Sequence, residues 1–238
     1  MSCLQLPHAI LRTRIASVAL APLAALAFAS SAHAAEPDLS WEVGVATENV
    51  AKGLGKSGGD PSISGAVGAS LGAFYAEFSG STVELGGGAD SELVTTVGYA
   101  PELGGFEFDF SAMHKVFTGT VAGYDNRFME YQADISRDVG PAGVRLRVNY
   151  TPDGSGSMED AWWVEAQGSY ALGARTRASV AVGERISETS AEYTAWNVGV
   201  KHKLTRQLAA DLRWYDTDQH ELGDRYEGRL VGALTYAF

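Results

Sequence analysis

The stretch Gly53-Leu54-Gly55-Lys56-Ser57-Gly58 looks most like a chemical device, because glycine-rich turns ending in Lys-Ser can cradle phosphate. Such a cradle needs a glycine where Val50 sits, and a helix behind it. Here Gly59-Asp60-Pro61 opens another extended segment instead. The stretch therefore reads as an extracellular loop. His114, His202 and His220 fall in no metal-ligand spacing. Ser111 and His114 stand three apart on an extended chain, hence on opposite faces, so no nucleophile meets an oriented base. Asp216, Asp218, Glu221 and Asp224 read as a solvated acidic loop. No catalytic residue, metal site or cofactor is expected. What remains is charge at every second position, and that requires walls to carry it.

From Leu39 onward the sequence alternates with period two, with almost no 3.6-residue period. Phe106-Glu107-Phe108-Asp109-Phe110 and Val144-Arg145-Leu146-Arg147-Val148 set an apolar face against a charged one. The pattern predicts twelve strands: 39–49, 61–71, 73–82, 91–100, 105–116, 125–137, 143–151, 160–171, 174–186, 191–204, 207–217 and 226–238. Short turns near Gly72, Pro101, Gly140, Gly173 and Thr205 alternate with longer polar loops at 50–60, 83–90, 117–124, 152–159, 187–190 and 218–225. That alternation is the signature of a closed, up-and-down antiparallel transmembrane β-barrel, with turns on the periplasmic side and loops outside. Trp41, Tyr99, Phe106, Tyr131, Tyr150, Tyr170, Trp196, Trp214, Tyr226, Tyr236 and Phe238 fit the aromatic girdles of such a barrel.

With the apolar face outward, the inner wall follows. Glu42, Glu77, Glu92, Glu107, Asp109, Glu130 and Asp134 would line one half, with no basic residue among them. Arg145, Arg147, Arg175, Arg177, Lys201, Lys203, Arg213 and Arg229 would line the other, with only Glu165, Asp211 and Glu227 as acids. Opposed charges across a water-filled bore set up a transverse field that favours polar solutes. The same residues allow a plainer arrangement, in which Glu130 and Asp134 pair with Arg145 and Arg147 and fill the lumen.

Residues 1–34 read as a secretion signal: Arg12 and Arg14, an apolar run from Ile15 to Phe28, then Ala32-His33-Ala34 as the cleavage site. Cys3 falls in this segment, so the mature domain, 35–238, has no cysteine. It holds 16 basic against 29 acidic residues, a net charge of −13, which argues against a nucleic-acid partner. At the other end Leu234, Tyr236 and Phe238 share a greasy face to the last residue. This resembles the C-terminal signal by which the barrel-assembly machinery inserts outer-membrane barrels.

The chain resembles the proteobacterial outer-membrane family of TorF-type porins. The resemblance begins at Thr47-Glu48-Asn49-Val50-Ala51-Lys52-Gly53-Leu54 and continues through Gly59-Asp60-Pro61-Ser62-Ile63-Ser64-Gly65. It extends to Asn149-Tyr150-Thr151-Pro152-Asp153, Tyr193-Thr194-Ala195-Trp196-Asn197-Val198-Gly199 and Tyr215-Asp216-Thr217-Asp218. The chain departs at Asn49, Ala51 and Lys52, where tyrosine, phenylalanine and arginine are usual. The resemblance implies an outer-membrane pore and names no substrate. Expected partners are outer-membrane lipid, the assembly machinery and small polar solutes. The expected role is passive diffusion, and the alternative is a non-conducting scaffold or surface-interaction barrel with a salt-bridged lumen.

Overall fold

The computed structural model describes residues 36–238; the expected secretion signal and its expected cleavage after Ala34 lie outside the described residues. Among the described residues, twelve long strands make the wall. They are β1 (Asp38–Ala46), β2 (Ser62–Leu71), β3 (Phe74–Leu85), β4 (Ala89–Tyr99), β5 (Phe106–Thr118) and β6 (Arg127–Val139), then β7 (Ala142–Thr151), β8 (Ala161–Ala171), β9 (Thr176–Ile186), β10 (Tyr193–Lys203), β11 (Leu208–Thr217) and β12 (Arg229–Ala237). Each pairs antiparallel with the next, and β12 returns to β1, with Glu42 opposite Ala237 and Ala46 opposite Ala233. The sheet is a closed barrel. Trp41 and Phe238 exchange both backbone hydrogen bonds at 3.0 Å, so the last residue belongs to the seam.

Alternation sorts the side chains into two faces. Ile63 (64 % exposed), Phe74 (66 %), Leu146 (58 %) and Leu230 (59 %) lie on one continuous outer face, with Val43, Val97, Val180, Val198 and Leu212. Aromatics gather on it towards the strand ends. Trp41, Phe74, Tyr99, Tyr170 and Tyr236 are exposed towards the turns, and Tyr131, Trp162, Trp196 and Trp214 towards the loops. Phe74 packs on Tyr99 with ring centres 4.7 Å apart, and Tyr150 stacks on Trp162 at 4.3 Å.

Three boundaries differ by three residues from the sequence reading. The loop expected at 83–90 is a tight connection at Gly86–Gly88, where Gly87 and Gly88 take positive φ and let β3 run on to Leu85. β1 stops at Ala46 because the chain then turns inward. β12 starts at Arg229 because Asp224–Tyr226 forms a short 3₁₀ turn. That turn directs Tyr226 onto Tyr193, edge to face at 5.4 Å, and so removes it from the girdle.

Two inner aromatics rest on glycines of the neighbouring strand. A Cβ on Gly98 would lie 2.2 Å from the Tyr75 ring, and one on Gly183 would lie 2.2 Å from Trp163. Glycine there makes room for a large ring inside a curved wall. Replacing Gly98 by valine should destabilise the barrel by about 1–3 kcal/mol, the usual cost of overpacking. Gly168→Ala, which meets only Val180 at 4.0 Å, should be near neutral. Denaturant unfolding in detergent, followed by the folded band on an unheated gel, measures both.

Candidate functional site: a loop held inside the barrel

The chain leaves β1 and folds into the barrel instead of outward. Val50–Ala51 and Leu54–Gly55 form a miniature hairpin. Lys52 (φ +52°) and Gly53 (φ +82°) make its two-residue turn, both in the left-handed region, as a type I′ turn demands. The loop is more buried than most of the wall: Val50 is 0 % exposed and Asn49 2 %. Its neck is tied by hydrogen bonds. The Asn49 backbone N–H donates to Ser57 Oγ at 2.9 Å, and the Lys56 N–H donates to the Asn49 carbonyl at 2.7 Å. Asn49 Nδ2 donates to Ser81 Oγ and to the Thr82 carbonyl on β3, each at 3.1 Å.

The hairpin reaches opposite walls. On one side Leu54 packs with Trp163 of β8 and with Tyr193 and Ala195 of β10, and Tyr226 covers the cluster. The Tyr193 hydroxyl donates to the Lys52 carbonyl at 3.0 Å. Val50 packs with Ala46, Tyr215 and Val231. On the other side Lys52 Nζ meets Glu130 Oε2 of β6 at 2.5 Å, and Lys56 pairs with Glu92 of β4. Glu48 pairs with Arg229 of β12. Partners on β4, β6, β8, β10 and β12 can be touched together only from within. Burial lowers the Lys52 pKa from the ordinary lysine range. The Glu130 carboxylate opposes that shift.

Close approach explains both glycines of Gly53-Leu54-Gly55. A Cβ on Gly53 would lie 2.3 Å from Ala195 Cβ. One on Gly55 would lie 2.0 Å from Arg229 Nη1 and 2.2 Å from Glu48 Oε1, inside that ion pair. The glycines serve docking against protein, so the stretch expected as an extracellular loop is tucked into the barrel.

The structure places the charged residues singled out in the sequence as follows. Glu130 accepts from Lys52, from Lys115 of β5 at 3.0 Å, and from Asn149 and Thr151 at 3.2 Å each. Asp134 accepts from Arg147 Nε at 2.8 Å and from its Nη2 at 2.5 Å. Asp109 accepts from the Tyr75 hydroxyl at 2.8 Å, and Glu107 from Ser136 at 3.3 Å. Glu42 stands within electrostatic reach of Glu77 and Lys201. Arg145 pairs with Glu165 at 2.6 Å, and Arg177 with Asp138 at 3.3 Å near the turns. Arg213 grips Asp211 (3.2 Å), Asn197 (2.6 Å) and Ser179 (3.0 Å). Lys203 is exposed at the end of β10, and Arg175 is exposed in the turn before β9.

Four charged residues of this site were missed in the sequence. Lys115 lies on β5, inside the half read as free of bases, and Glu48, Lys52 and Lys56 come in on the loop. The pairing of Asp134 with Arg147 was foreseen. That of Glu130 with an arginine is corrected: its partners are lysines. Gly53 suits the second place of a two-residue turn, but lysine at the first does not advertise one, and nothing local shows where the hairpin goes.

A family profile, described as bacterial protein of unknown function, matches residues 29–231. The chain belongs to the Gcw_chp family. No curated protein sequence matches it. Among solved structures, this Gcw_chp member is similar to the KdgM porin, with TM-score 0.59, 7 % identity, and 84 % of this chain and 99 % of that one covered. It is similar to the NanC porin at TM-score 0.54 and 9 % identity, covering 84 % and 99 %. An outer-membrane channel from Pseudomonas putida F1 gives TM-score 0.52 and 13 % identity over 89 % and 99 %. At these identities the likeness is one of fold.

Docking of the loop through its glycines is testable. Gly53→Val and Gly55→Val should undock it, and limited trypsin digestion followed by intact-mass analysis should then find cuts after Lys52 or Lys56. The unaltered protein should resist at both.

Proposed function

We propose that this Gcw_chp barrel is an outer-membrane channel of the porin type, through which small polar solutes diffuse passively. The observation that carries the reading is the division of the wall. A predominantly apolar, aromatic-edged outer face surrounds an inner face of ion pairs and hydrogen-bonding groups. In water an exposed apolar belt of this extent is a severe liability, whereas lipid accepts it. Likeness of fold to three porins and channels supports the same reading.

Within it, Glu42, Glu77, Glu107 and Asp109 form the acidic side of the bore, and Arg145, Arg147, Lys201 and Arg213 the basic side. The TorF-type resemblance fits such a pore. Export by a signal cleaved after Ala34, and insertion through the C-terminal Leu234, Tyr236 and Phe238, belong to the same proposal. No catalytic step enters it.

A second reading has one observation in its favour. The inward loop, with Lys52 on Glu130 and Lys56 on Glu92, fills part of the interior and would make the barrel a closed scaffold. Conductance decides between them. Protein extracted from the outer-membrane fraction, shown to be folded by its heat-modifiable mobility, should give discrete steps in a planar bilayer. Folded protein that gives none assigns the scaffold reading.

A further inference from the structure

We propose that Lys52 and Lys56 determine the ion selectivity of the pore, by reversing the charge of the inner wall between β4 and β6 and so raising the positive excess at the level of the loop. The inference deepens the channel reading and rests on it.

The wall alone, between β4 and β6, offers two buried carboxylates, Glu92 and Glu130, and one ammonium, Lys115. With the loop in place the same sector holds two carboxylates and three ammoniums. The loop's own acid, Glu48, is turned away to Arg229 and leaves that sector untouched. Beside Lys52 stands Arg185, which donates to Met158 Sδ at 2.6 Å and Ser190 Oγ at 2.7 Å and has no carboxylate within ion-pair distance among the described residues. At the level of the loop the inner groups are then five cations (Lys52, Lys56, Lys115, Arg185, Arg229) against three carboxylates, where the wall without the loop has three against two. The part of the lumen that the loop occupies is thereby made favourable to anions, although the mature chain as a whole is strongly acidic.

The backbone supplies an independent argument. A type I′ turn favours Asn, Asp or Gly at the position Lys52 occupies, and a left-handed lysine costs on the order of 1 kcal/mol. Retaining it is understandable if its ammonium is needed across the lumen.

The test uses the mature protein in planar bilayers under a KCl gradient. The unaltered channel should favour chloride. K52Q/K56Q should move the reversal potential towards potassium, lowering the chloride-to-potassium permeability ratio by about threefold or more, since one-signed clefts concentrate counter-ions about tenfold or more. The exchange K56E/E92K restores the pair with opposite polarity and an unchanged sum of charge, so selectivity should return towards that of the unaltered protein. Should the double glutamine variant fail to fold, K56Q alone carries the same expectation at smaller size. A conducting channel whose reversal potential is unmoved by these glutamine variants overturns this assignment and leaves the pore intact. Folded protein that never conducts overturns the channel reading itself.

Discussion

Closure of the hydrogen-bond ladder is the constraint on which the rest depends. An open sheet ends in two rows of unpaired donors and acceptors, which are tolerable in water and prohibitive against hydrocarbon. Here β12 returns to β1, and Phe238 and Trp41 complete each other's hydrogen bonds at that join. Once the ring is closed, every second side chain must point out and every other one in. There is no third location. The sequence satisfies both demands at once, which is why its outer positions are almost wholly apolar while charged groups collect inside.

Enclosure then poses a second problem, since charges confined in a narrow lumen need partners. Lys115, Arg145 and Arg147 find them on an adjacent strand. Arg147 lies directly opposite Asp134 and Glu165 in the register, pairs with the first, and leaves the second to Arg145 on the diagonal. Glu92 and Arg229 find their partners on the loop, which crosses the interior to reach them, and Glu130 takes one there beside Lys115. Local pairing stiffens the wall. Long-range pairing fixes what lies within the wall.

This difference decides how much could be read without coordinates. Strand positions were legible because period two is written into each segment independently, as in Phe106-Glu107-Phe108-Asp109-Phe110. Errors arose where glycine or packing overrode the pattern. Gly87 and Gly88 shortened an expected loop to a turn, and Tyr226 left the outer girdle because Tyr193 offers it a ring inside. The docked loop was not legible at all. Its closest partners lie far away in sequence, Lys52 from Glu130 by 78 residues and Glu48 from Arg229 by 181. Its glycines look the same in sequence whether they approach a phosphate or the Ala195 side chain. Lys52 at the first turn position hides even the hairpin, because type I′ turns usually carry Asn, Asp or Gly there.

A hairpin with two residues on each side does not hold its own shape in water, so the barrel must hold it. Leu54 among Trp163, Tyr193 and Ala195 gives it a reason to be buried, but apolar contact is non-directional and would accept several orientations. The charges choose among them. Glu48 faces Arg229, and four and eight residues later Lys52 and Lys56 face Glu130 and Glu92. Turning the hairpin half a revolution would set the lysines towards Arg229 and Glu48 towards the carboxylates, replacing three attractions by repulsions in a partly desolvated space. Wall and loop thus specify one another: the apolar anchor draws the loop in, and the signs on the wall leave it one way to sit.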